Sequence, residues 1–194
     1  MELNGIKIGF AVTGSHCTVR EVLNQVPRLI ESGAEVYPVM SYSAASVDTR
    51  FGKASEWKDL LEETTGHEII KTIVDAEPIG PNTLFDIMVV APCTGNTMAK
   101  LVNGITDTPV LMAIKAHLRN QRPLVMGIST NDGLGINAKN IGLLLNMKNI
   151  YMVPFGQDNP QVKANSLVAN MSLMADTIKL ALQGKQLHPV IIQY

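Results

Sequence analysis

The sequence predicts one α/β domain over residues 1–194, a three-layer arrangement of an open parallel sheet with helices on both faces. Three observations carry this. Short apolar runs alternate along the chain with stretches whose apolar residues recur at helical spacing, and that alternation specifies a parallel sheet covered by helices. The run Ile87-Met88-Val89-Val90-Ala91 is continuously apolar, as a strand buried on both faces must be. The strands then run out into small hydroxyl and amide residues, at the edge where such sheets bind ligands.

The first strand spans residues 6–12 and is broken by Thr13-Gly14-Ser15. Val19, Val22, Leu23, Val26, Leu29 and Ile30 follow at helical spacing, in a helix that Pro27 bends and Ser32-Gly33 ends. Residues 35–40 form the second strand, which makes a right-handed βαβ unit with parallel strands. Residues 41–51 are small and polar without periodicity and read as a loop. Ser55 can cap a helix carrying Trp57, Leu60 and Leu61, which Gly66 closes. Ile69-Ile70 and Ile73-Val74 fit a short strand or a helical turn, and residues 76–82, with Pro78, Gly80 and Pro81, read as a loop.

Residues 84–91 form the next strand, leading into Pro92-Cys93-Thr94-Gly95-Asn96-Thr97 and a helix with Met98, Leu101 and Val102. After Asn103-Gly104, Pro109 takes the first position of another helix, with Val110, Leu111, Ile114 and Leu118. Residues 123–127 are a strand that ends in Ile128-Ser129-Thr130-Asn131-Asp132-Gly133. A helix at 136–147, a strand at 150–153 and a closing helix complete the chain. Leu167, Val168, Met171, Met174, Ile178 and Leu182 mark that last helix and Gly184 stops it.

Composition narrows the function. At 46% hydrophobic and 17% charged, the chain has the apolar content of a globular core and far too much for disorder. Sixteen Lys+Arg against 17 Asp+Glu leave a net charge of −1, so no broad field exists to hold nucleic acid or an acidic membrane. No apolar run approaches the roughly 20 residues of a membrane span. Met1-Glu2-Leu3-Asn4 lacks the basic start of an export signal. Cys17 and Cys93 form no CxxC pair, so neither a disulfide framework nor a metal site is expected. The expectation is a cytoplasmic protein acting on small molecules or protein partners.

The strand ends carry the chemistry. Gly14-Ser15 opens the first helix, where free N–H groups favour an anion, and a phosphate there could bond Ser15 Oγ, Thr18 Oγ1 and several amides. The same residues also suit an ordinary turn with an N-cap. The turn lacks the Gly-x-Gly-x-x-Gly dinucleotide fingerprint, and no Gly-Lys-Ser/Thr of a P-loop occurs. Cys17 fits either a thiolate activated by the helix N-terminus or a small buried helix residue. His16 can touch a ligand or face solvent, and His67, His117 and His188 are scattered without a shared role. No Gly-x-Ser-x-Gly elbow supports a hydrolase. No catalytic residue is assigned from these features.

Pro92-Cys93-Thr94-Gly95-Asn96-Thr97, followed by Asn103-Gly104-Ile105-Thr106-Asp107, resembles the flavin-binding signature of the homo-oligomeric flavin-containing cysteine decarboxylases, a flavoprotein superfamily with a Rossmann-like, flavodoxin-like fold. The family's segment reads Pro-Ala-Ser/Thr-Ala-Asn-Thr, then Asn-Gly-Ile-x-Asp-Asn. Over the whole chain, Gly14–Thr18, Asp48-Thr49-Arg50-Phe51-Gly52-Lys53, Ala76-Glu77-Pro78, Gly127 to Asp132 and Val153 to Asp158 resemble the family of dipicolinate synthase B subunits.

That resemblance implies a role in sporulation, in the cytoplasm of the mother cell. A separate A subunit carrying NAD(P) would act with this chain to oxidise a dihydrodipicolinate-type precursor, a small dicarboxylate, to dipicolinate. It implies an FMN pocket formed by Gly14, Ser15, Thr18, Ser41, Ser43, Pro92, Thr94, Asn96 and Thr97, with Ser129, Thr130 and Asn131 for the substrate's carboxylates, and a homo-oligomer built on trimers. Asn96 can also be read as the cap of a helix starting at Thr97. One departure stands against transfer of the decarboxylase reaction: the position of those enzymes' catalytic histidine is Pro78 here, which has no proton to transfer. The flavin signature itself departs at two places, its second alanine being Gly95 and its Asp-Asn being Asp107-Thr108. A flavoenzyme acting alone on a small carboxylic acid and a non-catalytic stabilising subunit are the alternative readings.

Overall fold

The structure, a computed structural model, describes residues 2–193. Its first half contains β1 (Lys7–Val12), α1 (His16–Leu23), α2 (Val26–Glu31), β2 (Glu35–Met40), α3 (Tyr42–Ser46), α4 (Ala54–Thr65) and α5 (Ile73–Ala76). Then come β3 (Ile87–Cys93), α6 (Gly95–Val102), α7 (Pro109–Leu118), β4 (Leu124–Thr130) and α8 (Ala138–Leu145). The chain closes with β5 (Ile150–Met152), β6 (Phe155–Gly156), β7 (Leu167–Ala169) and α9 (Met174–Ala181).

β1 pairs in parallel with β2 on one side and β3 on the other; β3 pairs with β4, and the first half of β4 with β5, all parallel. The parallel part therefore runs β2-β1-β3-β4-β5, and chain direction across the sheet reverses between β1 and β3. The carboxyl ends at that reversal form the crevice in which open α/β sheets bind ligands. β3 is buried along its whole length, which is why its sequence shows no alternation. The register slips between Val90 and Cys93, where Pro92, lacking an N–H, sits inside the strand.

At the opposite edge of the sheet, Asp86 ties three elements together. Its carboxylate accepts from Lys7 N at 2.9 Å and from Arg122 Nη1 at 2.8 Å, and Arg122 also donates to the Phe85 carbonyl. Beside it His117 is buried, with Nε2 2.9 Å from the Pro123 carbonyl oxygen.

Several local expectations change. The helix expected to bend at Pro27 is two helices, with Pro27 in the first turn of α2, the one place where a missing N–H costs nothing. Residues 41–51 hold α3, capped by Ser41, whose hydroxyl accepts from Ala44 N at 3.3 Å. α4 starts one residue ahead of Ser55, because Asp48 accepts from Ala54 N at 2.8 Å. The loop expected at 76–82 contains a short 3₁₀ turn, Glu77–Ile79.

The largest difference lies after β4. Ser129 and Thr130 continue that strand and pair antiparallel with Val168 and Leu167 of β7, which pairs in turn with β6. Leu167 and Val168 are therefore strand residues, and the last helix begins only at Met174. This antiparallel hairpin extends the parallel sheet beyond the ends of its neighbours.

Candidate functional site

Ser15 occupies the cap position of α1, yet its hydroxyl makes no cap bond. It turns instead to Ser129 Oγ, 2.8 Å away at the end of β4. Thr18 Oγ1 lies 3.0 Å from the Ser15 carbonyl, 3.1 Å from Ser129 Oγ and 3.3 Å from Ser15 Oγ. The Ser15 and Thr18 hydroxyls at the start of α1 thus converge with that of Ser129 from the end of β4, and the cap bond expected of Ser15 is not made. Gly14 is needed there for space: a Cβ on it would stand 2.5 Å from Ser43 Oγ.

A second set of bonds fixes the β3 end against the β1 end. Thr13 Oγ1 donates to the Pro92 carbonyl at 2.6 Å and accepts from Thr94 N at 3.1 Å. Pro92 is buried in β3, lines neither of the two cavities described below, and serves the site only through that carbonyl. Thr94 caps α6, accepting from Thr97 N at 3.2 Å, and its hydroxyl lies 3.0 Å from Thr97 Oγ1. The helix starts at Gly95 rather than Thr97, so Asn96 is not its cap and stands exposed in the first turn.

Behind this edge runs a polar chain. Thr130 Oγ1 donates to Asp132 Oδ1, Asn137 Nδ2 donates to Asp132 Oδ2 at 2.8 Å, and Asn140 Nδ2 donates to Asn137 Oδ1 at 2.7 Å. It presses against the Gly95 Cα. A Cβ there would lie 2.4 Å from Asn137 Nδ2 and 2.8 Å from both Asp132 Oδ1 and Thr130 Oγ1. The departure from alanine in the family signature has its physical reason in this approach.

Two cavities open at the crevice. The larger, about 540 Å³, is lined among others by Ser15, Thr18, Thr94, Ser129, Thr130 and Asn131. The smaller, about 360 Å³, is lined by Ser41, Ser43, Asn96, Thr97, Lys100 and Thr108 among others. Gly14 and Thr94 line both, so the two cavities adjoin. The cofactor-type residues read from sequence are thus divided between adjoining cavities, and the three carboxylate-type residues share the larger one.

Sequence reasoning missed part of the larger cleft. Thr49 and Phe51 reach it from the turn before α4, Glu21 from α1, and Asp158, Lys163 and Ser166 from the loop between β6 and β7. Glu21 had an available signal, its spacing of one helical turn from Cys17. Asp158 ends the Val153 to Asp158 stretch that carries the resemblance, whereas Lys163 and Ser166 had no signal, since the hairpin that delivers them was itself unread. Cys17 is exposed on the cleft, which removes its reading as a buried helix residue. The ring of His16 also lines the cleft, with Nδ1 buried and without a hydrogen-bond partner. Cys93 is the inert thiol of the pair: it is buried, and burial pushes its pKa far up.

The electrostatics are sparing. Lys163 is the lysine lining the larger cavity, where it donates to Asp158 Oδ2 at 3.0 Å, and Lys100 of the smaller cavity donates to Asp107 Oδ2 at 2.7 Å. Burial works to raise the Asp158 pKa, but hydrogen bonds from Lys163 and Ser166 outweigh it and hold the carboxyl below its usual range. Anions entering the cleft would therefore be met mainly by neutral hydroxyl, amide and backbone donors. Such groups satisfy carboxylate or phosphate oxygens without a full counter-ion. The same donor set, the glycine cradle at Gly14 and the unpartnered His16 Nδ1 fit the phosphate and polar ring edge of a flavin mononucleotide. Among the described residues no group of three His, Cys, Asp or Glu is placed to hold a metal ion, and no helix is long and apolar enough to cross a membrane.

Comparison with known proteins places these features. The dipicolinate synthase B subunit of Bacillus subtilis (strain 168) is 52% identical over 191 residues, covering 98% of this chain and 96% of that protein. The crystal structure of the dipicolinate synthase B subunit from Bacillus halodurans C superposes with a TM-score of 0.92 at 52% identity, over 100% of this chain and 99% of that one. More distantly, the FMN binding protein AtHal3 shares the fold, with a TM-score of 0.68 at 20% identity over 94% of this chain and 99% of that one. The Flavoprotein family model matches residues 1–180, and by that match this chain belongs to the Flavoprotein family.

Proposed function

We propose that this chain works as the B subunit of a dipicolinate synthase, oxidising a dihydrodipicolinate-type precursor to dipicolinate together with an A subunit that carries NAD(P). The observation that carries the reading is the 52% identity to the Bacillus subtilis protein over nearly the full length of both chains. The site's chemistry supports it. Ser129, Thr130 and Asn131 bring neutral donors to the larger cleft, suited to the carboxylates of a small dicarboxylic acid. The β1–α1 turn has only Gly14 and no dinucleotide fingerprint, which supports a hydride acceptor carried by the partner. The reading brings with it the cytoplasm of a sporulating mother cell and a homo-oligomer built on trimers. The exposed apolar side chains Leu134, Ile136, Leu143 and Met147, before, along and just after α8, are suited to such an interface.

Reconstitution tests this. Each of the two proteins alone and both together are supplied with the dihydrodipicolinate precursor and NADP, and product is followed by its ultraviolet absorbance. Product is expected only from the pair. Full activity from the A subunit alone would reduce this chain to a stabilising role, and product from this chain alone would favour an independent enzyme.

The same reading includes FMN. Its phosphate end is assigned to Gly14, Ser15 and Thr18, with Ser41 and Ser43 on the rim and Thr94, Asn96 and Thr97 towards ring or ribityl oxygens. Bound there, the flavin would supply a two-electron redox centre. Titration with FMN, read by fluorescence quenching, is expected to give at least about tenfold weaker binding for Ser15→Ala, the loss of one or two hydrogen bonds to a charged group. Equal, weak binding by both proteins would remove FMN from this site.

A further inference from the structure

We propose that Glu21 is the proton acceptor of the larger cleft. The assignment rests on the dicarboxylate-oxidising role proposed above. Glu21 follows Cys17 by one turn of α1, and both line the cleft that also holds Ser129, Thr130 and Asn131.

The charged and titratable groups facing Glu21 are few. α1 supplies His16 and Cys17, and the loop between β6 and β7 supplies Asp158 and Lys163. The ends of β3 and β4 and the turn before α4 present only uncharged lining residues: Thr94, Gly95, Ser129, Thr130, Asn131, Thr49 and Phe51. Asp158 and Lys163 are committed to each other at 3.0 Å. The Glu21 carboxylate makes no ion pair and no side-chain hydrogen bond among the described residues; the Gln25 amide donates to its backbone carbonyl instead. It is the unspent carboxylate of the cleft. Glu21 is exposed at the cleft's edge, and the part of it that is covered raises its pKa above the usual glutamate value, which makes it a stronger base. A dianion entering the cleft would raise that pKa further, since like charges favour the neutral form. Ligand binding is therefore coupled to partial proton uptake, and the fraction of Glu21 left as carboxylate is the form that accepts the substrate's proton, which sets the acidic limb of the pH profile.

In the oxidation, one ring C–H bond of the precursor gives its hydride to the nicotinamide dinucleotide carried by the A subunit. The neighbouring ring position loses its proton to the Glu21 carboxylate, and the electron pair left behind completes the aromatic ring. Two hydrogens thus leave the precursor as one hydride and one proton, and Glu21 passes its proton on to water.

The test has two readouts. Calorimetric titration of this chain alone with dipicolinate, in buffers of different ionisation heat, is expected to show proton uptake for wild type and Glu21→Asp and none for Glu21→Gln. In the reconstituted pair, Glu21→Gln is expected to lower kcat by about 10² or more, to leave KM little changed and to abolish the acidic limb of the pH profile. Should the wild-type pair form no dipicolinate, the functional reading falls and takes this assignment with it. If the wild-type pair is active while Glu21→Gln keeps both the proton uptake and the acidic limb, the assignment alone falls. Loss of the limb in His16→Gln but not in Glu21→Gln would move the role to His16.

Discussion

Gly95→Ala is expected to destabilise the protein by about 1–3 kcal/mol, the usual cost of forcing a methyl group into a packed site, and to weaken dipicolinate binding at least tenfold. Alanine has the better intrinsic helix propensity, by about 1 kcal/mol, and Gly95 opens α6, so the sign has to be argued. The new Cβ would sit 2.4 Å from Asn137 Nδ2 and 2.8 Å from Asp132 Oδ1 and Thr130 Oγ1. None of the three atoms is a loose end. Asp132 accepts from both Thr130 and Asn137, and Asn137 accepts from Asn140, so no one of them can move without breaking a bond in the chain. The clash outweighs the propensity gain. Because Thr130 also lines the cleft, the displacement reaches the ligand as well as the fold. Denaturant midpoints and dipicolinate titration measure the two effects. In an Asn137→Ser background the nearest clashing atom is gone and the penalty should shrink, a coupling that a double-mutant cycle reads directly. Unchanged stability and binding in Gly95→Ala would show that this chain yields freely.

Whether a feature could be read from sequence depends on how local its cause is. The ends of β1 and β3 were legible because continuous apolar runs stop abruptly at Thr13 and beyond Ala91, and strand length needs no distant partner to be recognised. The convergence of Ser15, Thr18 and Ser129 was legible only as a shared sheet edge. That the Ser15 hydroxyl leaves its helix to meet Ser129 depends on strand order, which local pattern does not encode. The hairpin of β6 and β7 was not legible at all. Leu167, Val168 and Met171 fit a helical stripe as well as a strand, and pairing of Leu167 and Val168 with Thr130 and Ser129 decides between them. That one tertiary contact also delivers Asp158, Lys163 and Ser166 to the cleft. The extra strand and the cleft's single lining cation were therefore missed together, for the same reason. Thr94 and Asn96 show the smaller version of the problem. Both are good caps by residue type, and only the Thr97 N–H, bonded to Thr94 Oγ1 at 3.2 Å, distinguishes them.

His117 should make folding stability fall with pH below about 6.5, at up to about 1.4 kcal/mol per pH unit for one proton. The imidazole is buried on α7. Burial lowers its pKa below the ordinary 6.5, the hydrogen bond with the Pro123 carbonyl pulls back upward, and Arg122 pushes down against Asp86 pushing up. The net direction is down. On acidification the unfolded chain therefore takes up a proton near pH 6.5 that the folded chain refuses. The contribution is complete above the unfolded value and is lost as pH falls from there through the folded one. Glu21, whose pKa is raised by burial, adds a slope of the opposite sign in both proteins, and the comparison between them cancels it. Asp158, held below its ordinary 3.8 by Lys163 and Ser166, acts beneath the window. Denaturant unfolding of wild type and His117→Gln, compared between about pH 7 and about pH 5, isolates the imidazole. Glutamine can still donate to the Pro123 carbonyl but cannot titrate, so its absolute stability differs while its pH slope flattens. Parallel slopes for the two proteins would mean that His117 ionises inside the fold, with Asp86 and the Pro123 carbonyl outweighing the cost of burying the charge.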